Sequence, residues 1–409
     1  MQPQYAETAP RRSTLEGIRM SARRLTEDPL FECGPPRALQ FRLGVLGNGQ
    51  LHVLRRASLV VTIGWMPLII LASVQSLTSQ TGALSSVLLA TGAHGRYLIA
   101  APLLIFAEAE CALRLNAIVR QFDAGLIPAR NKSRYEAAVA STRRLLNSGA
   151  VEIFVIALAY ILSATAALSQ PFEQVPIWHK TGGIAPTFSP AGWWHVLISL
   201  PLLLTLLLGW AWRLILWARL LWLIAGLDLR LMASHPDRAA GLGFVGYSVR
   251  AFYIVALALA SIVAGAAAHV VLLGDPLTRQ YLILSATLLL CALALFSAPL
   301  LILSPSLMSA WRRGALQYGA LADRVGTAFE NKWLTNENHV EITALDQQDF
   351  SATTDLYSVV ANVYALRLVP IDLKSVVILL GAMLLPFIPV VFLALPGDQI
   401  LAGLKQMIF

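Results

Sequence analysis

Long apolar stretches separated by short polar segments make up most of the chain. A helix needs roughly 20 apolar residues to cross about 30 Å of hydrocarbon. Seven stretches approach or meet this length: 57–75, 97–113, 151–169, 193–212, 251–273, 281–303 and 373–395. None alternates apolar and polar residues as a strand does, and a segment in lipid must satisfy its backbone hydrogen bonds internally. The pattern therefore predicts an all-α, polytopic membrane protein with about seven transmembrane helices.

The positive charges between these stretches predict how the helices are oriented. With a cytoplasmic N-terminus, 27 of the 31 lysines and arginines fall on the inner side, as the positive-inside rule requires. Composition agrees with membrane insertion, because 57% of the residues are hydrophobic, 13% are charged and the mean hydropathy is +0.65. The net charge of +8 then reflects topology. We expect no nucleic-acid binding, since no basic face with interleaved aromatic residues is present.

Two of the apolar stretches leave alternatives open. Pro386 and Pro389 lie inside the last stretch, and each removes a backbone donor, so this stretch is either a kinked span or a re-entrant hairpin. The fourth stretch runs on without a clear break into 214–231. It forms either one long helix that projects into the cytoplasm or a span followed by an interfacial helix.

Four cytoplasmic segments are expected to form short amphipathic helices in a layer against the membrane. The first begins at a capping box made by Ser13 and Glu16, and the others cover 134–146, 306–333 and 355–366. The chain then divides into an N-terminal cytoplasmic segment, a six-helix bundle, a cytoplasmic helical segment and a C-terminal transmembrane or re-entrant helix with its tail. These four parts are 1–56, 57–305, 306–372 and 373–409.

Ionisable residues within the spans are the first candidates for function, because burying a charge in a membrane is costly. Glu110 is four residues before Arg114, which predicts an interfacial ion pair on one helix. Glu108 lies one turn deeper and has no such partner on its own helix. We expect it to meet Arg213 or Arg219 of the fourth span, or the region of Glu152 in the third. It is then either a structural ion pair between helices or a titrating carboxylate in an ion path.

The cytoplasmic turn before the fifth span is the most distinctive short segment. It contains His235, Asp237, Arg238, Gly241 and Gly243, and its glycines formally match G-x-G-x-x-G. No strand precedes it, so dinucleotide binding is not predicted. The segment is either a structured turn in which Asp237 and Arg238 cap or pair, or a site where backbone amides bind an anion or a lipid headgroup.

No other motif points to chemistry. His94, His179, His195 and His269 fall in or near the outer half but on four separate segments, so no metal site is predicted. The three cysteines are far apart and form no C-x-x-C. Motifs of hydrolases, zinc proteases and phosphate-binding loops are not found in the sequence, so no catalytic residue and no cofactor is predicted. A stripe of small residues in the fifth span, around Gly265, predicts close helix packing within the bundle or between protomers.

Four stretches of the sequence occur together in a familiar order. They are His94-Gly95-Arg96 through Glu108, Leu227 to Arg230 with His235 through Phe244, Ala322 to Leu334, and Arg367 to Asp372. In this order they resemble a family of uncharacterised bacterial polytopic inner-membrane proteins. The resemblance covers the second to the seventh predicted span. Because that family has no assigned activity, the resemblance implies a bacterial inner-membrane location and no mechanism.

Two classes of function remain after these observations. The first is a non-enzymatic scaffold or accessory component of the inner membrane, which contacts the lipid bilayer and binds a protein partner on its cytoplasmic side. The second is a small-molecule or ion transporter that uses Glu108 and an arginine of the fourth span. The sequence does not specify a substrate, a partner or an oligomeric state. A water-accessible cavity at Glu108 would favour transport, whereas a solid bundle would favour the first class.

Overall fold

The structure of the chain is a computed structural model that describes most of the predicted spans. It describes residues 30–31, 34–35, 53–79, 81–171, 175–181, 187–274, 279–334 and 349–394. The helix predicted after Ser13 lies outside these residues. In chain order the principal helices are α1 (Val53–Ser79), α2 (Ala101–Gln121), α3 (Lys132–Leu146), α4 (Gly149–Ser169), α5 (Pro190–Ala225), α6 (Gly243–Leu272), α7 (Arg279–Ser297), α8 (Ser304–Trp333), α9 (Asp349–Tyr364), α10 (Leu373–Leu384) and α11 (Phe387–Ala394).

Among the described residues, five helices are long and apolar enough to cross a membrane. They are α1, α4, α5, α6 and the helix Ile283–Trp333, which combines most of α7 with α8. The pair α10 and α11 is bent by 46° at Leu385 and Pro386, and it makes a sixth if the pair is one span. The all-α, multi-helix character predicted from the sequence is confirmed, and the structure supports five or six spans where the sequence predicts seven.

The predicted span 97–113 accounts for the difference in number. Its residues lie in α2 and in the π-helical stretch Gly95–Ala100 just before it. Helix α2 carries Glu108, Glu110 and Arg114, and it is not among the helices that meet the criterion of length, hydropathy and charge. It packs against α1, α5 and α6, and about half of its residues are buried. A helix surrounded by other helices needs no continuous apolar surface, because little of it faces lipid.

Helix α5 resolves the alternative left open for the fourth apolar stretch. It continues without interruption from Pro190 to Ala225, which is 36 residues. At about 1.5 Å per residue it is roughly 54 Å long, well beyond the thickness of the hydrocarbon core. One long helix therefore carries both the apolar span and Arg213 and Arg219.

The segments 306–333 and 355–366 form a helical hairpin. They correspond to α8 and α9, which pack against each other along their lengths. At the far end of the hairpin Phe350 of α9 lies between Phe329 and Trp333 of α8, with ring centroids 4.9 and 5.0 Å away. The aromatic residues of α8 thus pack against the start of α9.

Small residues let the start of the α2 segment approach α6 closely. A Cβ atom on Gly95 would lie 2.7 Å from the carbonyl oxygen of Ser261, and one on Gly265 would lie 2.9 Å from the carbonyl oxygen of Thr91. The Thr91 hydroxyl donates a hydrogen bond of 2.9 Å to the carbonyl of Gly265. The small-residue stripe of the fifth predicted span therefore packs inside the bundle at this level.

Gly95→Ala should lower the melting temperature of the detergent-solubilised protein. Alanine favours a helix by up to about 1 kcal/mol over glycine, but here the added methyl group collides with the backbone of α6. Gly381→Ala is the matched control, because a Cβ at this position in α10 would have no neighbour within 4 Å. We expect Gly381→Ala to leave the melting temperature unchanged or raised. Equal effects of the two substitutions would contradict the close packing.

Candidate functional site

Glu108 lies in a buried cluster with two arginines from different helices. Arg56 of α1 places its Nη2 atom 2.5 Å from Oε2 of Glu108, and Arg213 of α5 places its Nη2 atom 2.6 Å from Oε1. None of the three residues is more than 4% exposed. The cluster therefore joins α1, α2 and α5 through one carboxylate, each oxygen of which accepts from one guanidinium group.

The charges in this cluster do not cancel. Two guanidinium groups face one carboxylate, which leaves one net positive charge in a buried position. The Arg213 guanidinium also lies 5.0 Å from the ring centroid of Trp210, and the negative face of an aromatic ring offsets part of a positive charge. The Nε atoms of Arg56 and Arg213 have no hydrogen-bond partner in the described part of the chain. Such a cluster is stable only while every charge keeps its partner.

The segment before α1 contributes to the same site. Phe31 is buried against Trp217 of α5, with ring centroids 6.0 Å apart. A Cβ atom on Gly34 would lie 3.1 Å from the Arg213 guanidinium, so glycine lets the backbone lie against that group. The carbonyl of Pro35 approaches Gly209 in the same way, where a Cβ would be 2.7 Å from its oxygen. Gly34 and Pro35 therefore pack against Arg213 and against α5, the helix that carries it.

The structure decides between the partners that the sequence left open for Glu108. It joins Glu108 to Arg213. It also shows a second partner, Arg56, which the sequence analysis used only as one of the positive charges that predict the orientation of the helices. Glu110 accepts a hydrogen bond of 2.7 Å from Nε of Arg114 on its own helix.

Two further candidates lie on the neighbouring helices. Arg219 of α5 donates to the hydroxyl of Thr142 of α3, at 3.3 Å. Glu152 is buried in the first turn of α4.

The carboxylate of Asp237 organises the turn that precedes α6. Its Oδ1 atom accepts from the backbone amides of Ala239 at 2.8 Å and Gly241 at 3.1 Å, and its Oδ2 atom accepts from the amide of Gly243 at 2.8 Å. Nδ1 of His235 lies 2.8 Å from Oδ1. These three amides already donate to Asp237, which argues against the alternative in which the turn's amides bind an external anion.

Backbone conformation and close packing explain the glycines of the turn, without nucleotide binding. Gly241 has φ of +91°, which favours glycine, and it follows Arg238 and Ala240 with φ of 53° and 54°. A Cβ on Gly243 would lie 2.9 Å from Oδ2 of Asp237. A Cβ on Gly246 would lie 2.5 Å from the carbonyl oxygen of Pro370. The G-x-G-x-x-G pattern is therefore explained by close contacts within the turn and with the segment that precedes α10.

That preceding segment is tied to the turn by polar contacts. The amide of Arg367 donates a hydrogen bond of 2.7 Å to the carbonyl of Arg238. Asp372 caps α10 by accepting from the amide and hydroxyl of Ser375, and it lies 3.7 Å from Nη2 of Arg250. Two stretches that carry the family resemblance, far apart in sequence, thus form one structural unit.

Two of the histidines, His179 and His195, meet in a cluster that the sequence did not predict. His179 and His195 have ring centroids 4.6 Å apart, and Nε2 of His195 is hydrogen-bonded to the hydroxyl of Tyr97 at 2.9 Å. Burial, with a smaller contribution from the nearby charge of Arg96, lowers the pKa of His179 to about 4, so this imidazole is neutral at pH 7. Because the two histidines lie on separate segments, the sequence pattern could not predict their contact. The described residues contain no group of three or more His, Cys, Asp or Glu that could hold a metal ion.

No family model, curated protein or solved structure matches the chain. The geometry of its own clusters is therefore what bears on function.

Glu108→Gln should destabilise the protein strongly. Removing the carboxylate charge leaves two buried guanidinium groups without a counter-charge, which typically costs about 3–5 kcal/mol. Glu110→Gln is the matched control, because it breaks a partly exposed pair on one helix that is worth roughly 0–1 kcal/mol. Thermal unfolding in detergent, followed by tryptophan fluorescence, measures both. Similar small losses for the two variants would show that the buried cluster does not hold the helices together.

The contribution of Asp237 to stability should depend on pH. Burial alone would raise the pKa of its carboxyl group, but the three backbone amides and His235 outweigh burial and lower it below 3.8. A lowered pKa in the folded state means that the stabilisation is complete above the ordinary pKa and is lost as the pH falls through the folded pKa.

We therefore expect Asp237→Asn to have a lower melting temperature than the wild type at pH 7, and this difference to shrink as the pH falls below about 4. Asp355→Asn, at an exposed position of α9, is the control and should change little. A difference that grows on acidification would contradict the role assigned to Asp237.

Proposed function

We propose that the chain is a non-enzymatic, multi-pass component of a bacterial inner membrane that binds a protein partner through the hairpin of α8 and α9. The observation that carries the proposal is the length of the helix that contains α8. The helix Ile283–Trp333 has 51 residues and is roughly 77 Å long at about 1.5 Å per residue, whereas the hydrocarbon core is about 30 Å thick. More than half of the helix therefore extends outside the hydrocarbon.

The hairpin carries apolar side chains that nothing in the described part of the chain covers. Leu316 is 76% exposed, Leu334 is 69% exposed and Tyr364 is 57% exposed. Large exposed apolar residues outside the hydrocarbon typically mark an interface with another protein. Exposed charged side chains such as Asp323 and Arg324 lie on the same helix between Leu316 and Leu334, which is typical of the rim of an interface and unlike a lipid-facing surface.

A seven-span topology with a cytoplasmic N-terminus belongs to the same proposal. Helix α2 would be the additional span, shielded from lipid by its neighbours, and the distribution of 27 of the 31 basic residues supports the orientation. A bend of 46° lets α10 and α11 advance in one general direction, which favours a kinked span over a hairpin. Membership of the family that the sequence resembles, and its bacterial inner-membrane location, remain part of this proposal.

The alternative of a transporter using Glu108 is less well supported. Glu108 is 2% exposed, and each of its carboxylate oxygens is occupied by a guanidinium group. A carboxylate in an ion path has to exchange its partners with water or with the transported ion. The contacts of Glu108 instead match a structural connection between helices.

Site-specific photocrosslinking in cells tests the partner-binding role. A photoreactive residue is placed at Ala320, one turn from Leu316 on the same face of α8, and at Leu77 of α1 as a control that is 83% exposed. We expect a discrete protein adduct from position 320 and none from position 77. Leu316→Glu should abolish that adduct, and its melting temperature should equal that of the wild type because the side chain is exposed.

Two results would contradict the proposal. The first is the absence of any protein adduct from position 320. The second is an adduct that forms equally from position 77 or persists in the Leu316→Glu variant.

A further inference from the structure

A polar cavity of about 720 Å³ lies between α8 and the loop that follows α5. Arg230 and Met232 line it from the loop, and Arg313, Gln317 and Tyr318 line it from α8. The cavity lies on the side of the bundle where the hairpin leaves it. Its lining contains none of the residues of the Glu108 cluster.

Both walls of this cavity are held in place by contacts within the fold. The amide of Arg230 donates a hydrogen bond of 2.9 Å to the carbonyl of Leu126, and the amide of Met232 donates one of 3.2 Å to the carbonyl of Ala240. A Cβ on Gly314 would lie 2.3 Å from the Cβ of Ala233, so glycine lets α8 approach the loop at this point. The site is therefore formed before any ligand arrives.

A hydrogen bond of 3.0 Å between the hydroxyl groups of Tyr318 and Ser234 closes the same junction. It fixes the aromatic ring of Tyr318 at the edge of the cavity. The loop and α8 are thus connected at two neighbouring points beside the cavity.

The charge of the cavity is unbalanced. Arg230 and Arg313 both line it, and its described lining contains no aspartate or glutamate. Neither arginine has an ion pair within the described part of the chain. Asp228, two residues before Arg230, pairs with Arg130 instead. Two arginines therefore line one open cavity without a counter-charge in its described lining.

We infer that this cavity binds the phosphate group of an anionic ligand, held by Arg230 and Arg313. The planar fork of a guanidinium group matches the oxygens of a phosphate, and two such groups suit a multiply charged or bridging phosphate. Gln317 and Tyr318 add hydrogen-bonding groups, and Met232 provides an apolar surface for the rest of the ligand. The volume exceeds what a phosphate ion alone would fill. A phospholipid headgroup and a soluble phosphorylated compound share this chemistry.

The melting temperature of the full-length protein distinguishes the two sources. In one arm the protein is measured in phosphatidylcholine nanodiscs with and without phosphatidylglycerol. In the other it is measured in neutral detergent with sodium phosphate or with sodium chloride at equal ionic strength. A rise of several degrees with phosphatidylglycerol alone identifies a headgroup site, and a rise with inorganic phosphate identifies a site for soluble phosphorylated compounds.

Variants of the two arginines assign the effect to the cavity. The double variant Arg230→Gln and Arg313→Gln should lose the rise in melting temperature. Arg312→Gln, the exposed neighbour that does not line the cavity, should keep it. Arg313→Lys keeps the charge but loses the fork, and we expect it to retain only part of the rise.

Three results would overturn the inference. They are the absence of a rise with either probe in the wild type, a full rise in the double variant, and an equal loss of the rise in Arg312→Gln.

Discussion

The constraint on which the rest of the structure depends is the burial of the Glu108 carboxylate. A charge out of contact with water persists only if fixed partners replace its hydration. The structure supplies two, Arg56 from α1 and Arg213 from α5, and so fixes how three helices are placed relative to one another. The backbone at Gly34 then covers Arg213, which brings the segment before α1 into the bundle. One carboxylate thus accounts for the position of α2 among its neighbours.

A membrane environment makes such contacts more important than they are in water. Apolar side chains gain little from leaving lipid for the protein interior, so helices associate through polar contacts and close backbone packing. Here the polar contacts lie at Glu108, and the close packing lies at Gly95 against α6. In the turn before α6, the carboxylate of Asp237 plays a comparable role by accepting hydrogen bonds from three backbone amides. The buried carboxylate of Glu108 and the half-buried carboxylate of Asp237 therefore shape the bundle and this turn.

Local patterns in the sequence predicted the helices well, whereas pairings between distant residues were predicted only in part: Arg213 was among the expected partners of Glu108, and Arg56 was not. The apolar run 151–169 corresponds closely to α4, because helix formation in a membrane depends on the run itself. Arg56 was not recognised as a partner of Glu108, since nothing local distinguishes it from Arg55. The contact between His179 and His195 was not predicted either, because it depends on the conformation of the segment before α5 that carries His179. The predicted number of seven spans exceeds the five or six helices of the described residues that meet the apolar criterion, because α2 carries Glu108, Glu110 and Arg114 and does not meet it.

Apolar replacement of the whole cluster tests its structural role most directly. The triple variant Arg56→Met, Glu108→Leu and Arg213→Met removes all three charges together and keeps side chains of similar bulk. If the cluster only joins helices, the triple variant should unfold near the wild-type temperature in detergent, and Glu108→Leu alone, which leaves two buried guanidinium groups without a counter-charge, should unfold well below it. A triple variant that is no more stable than Glu108→Leu alone would contradict this account, because its loss could not be ascribed to an unpaired charge.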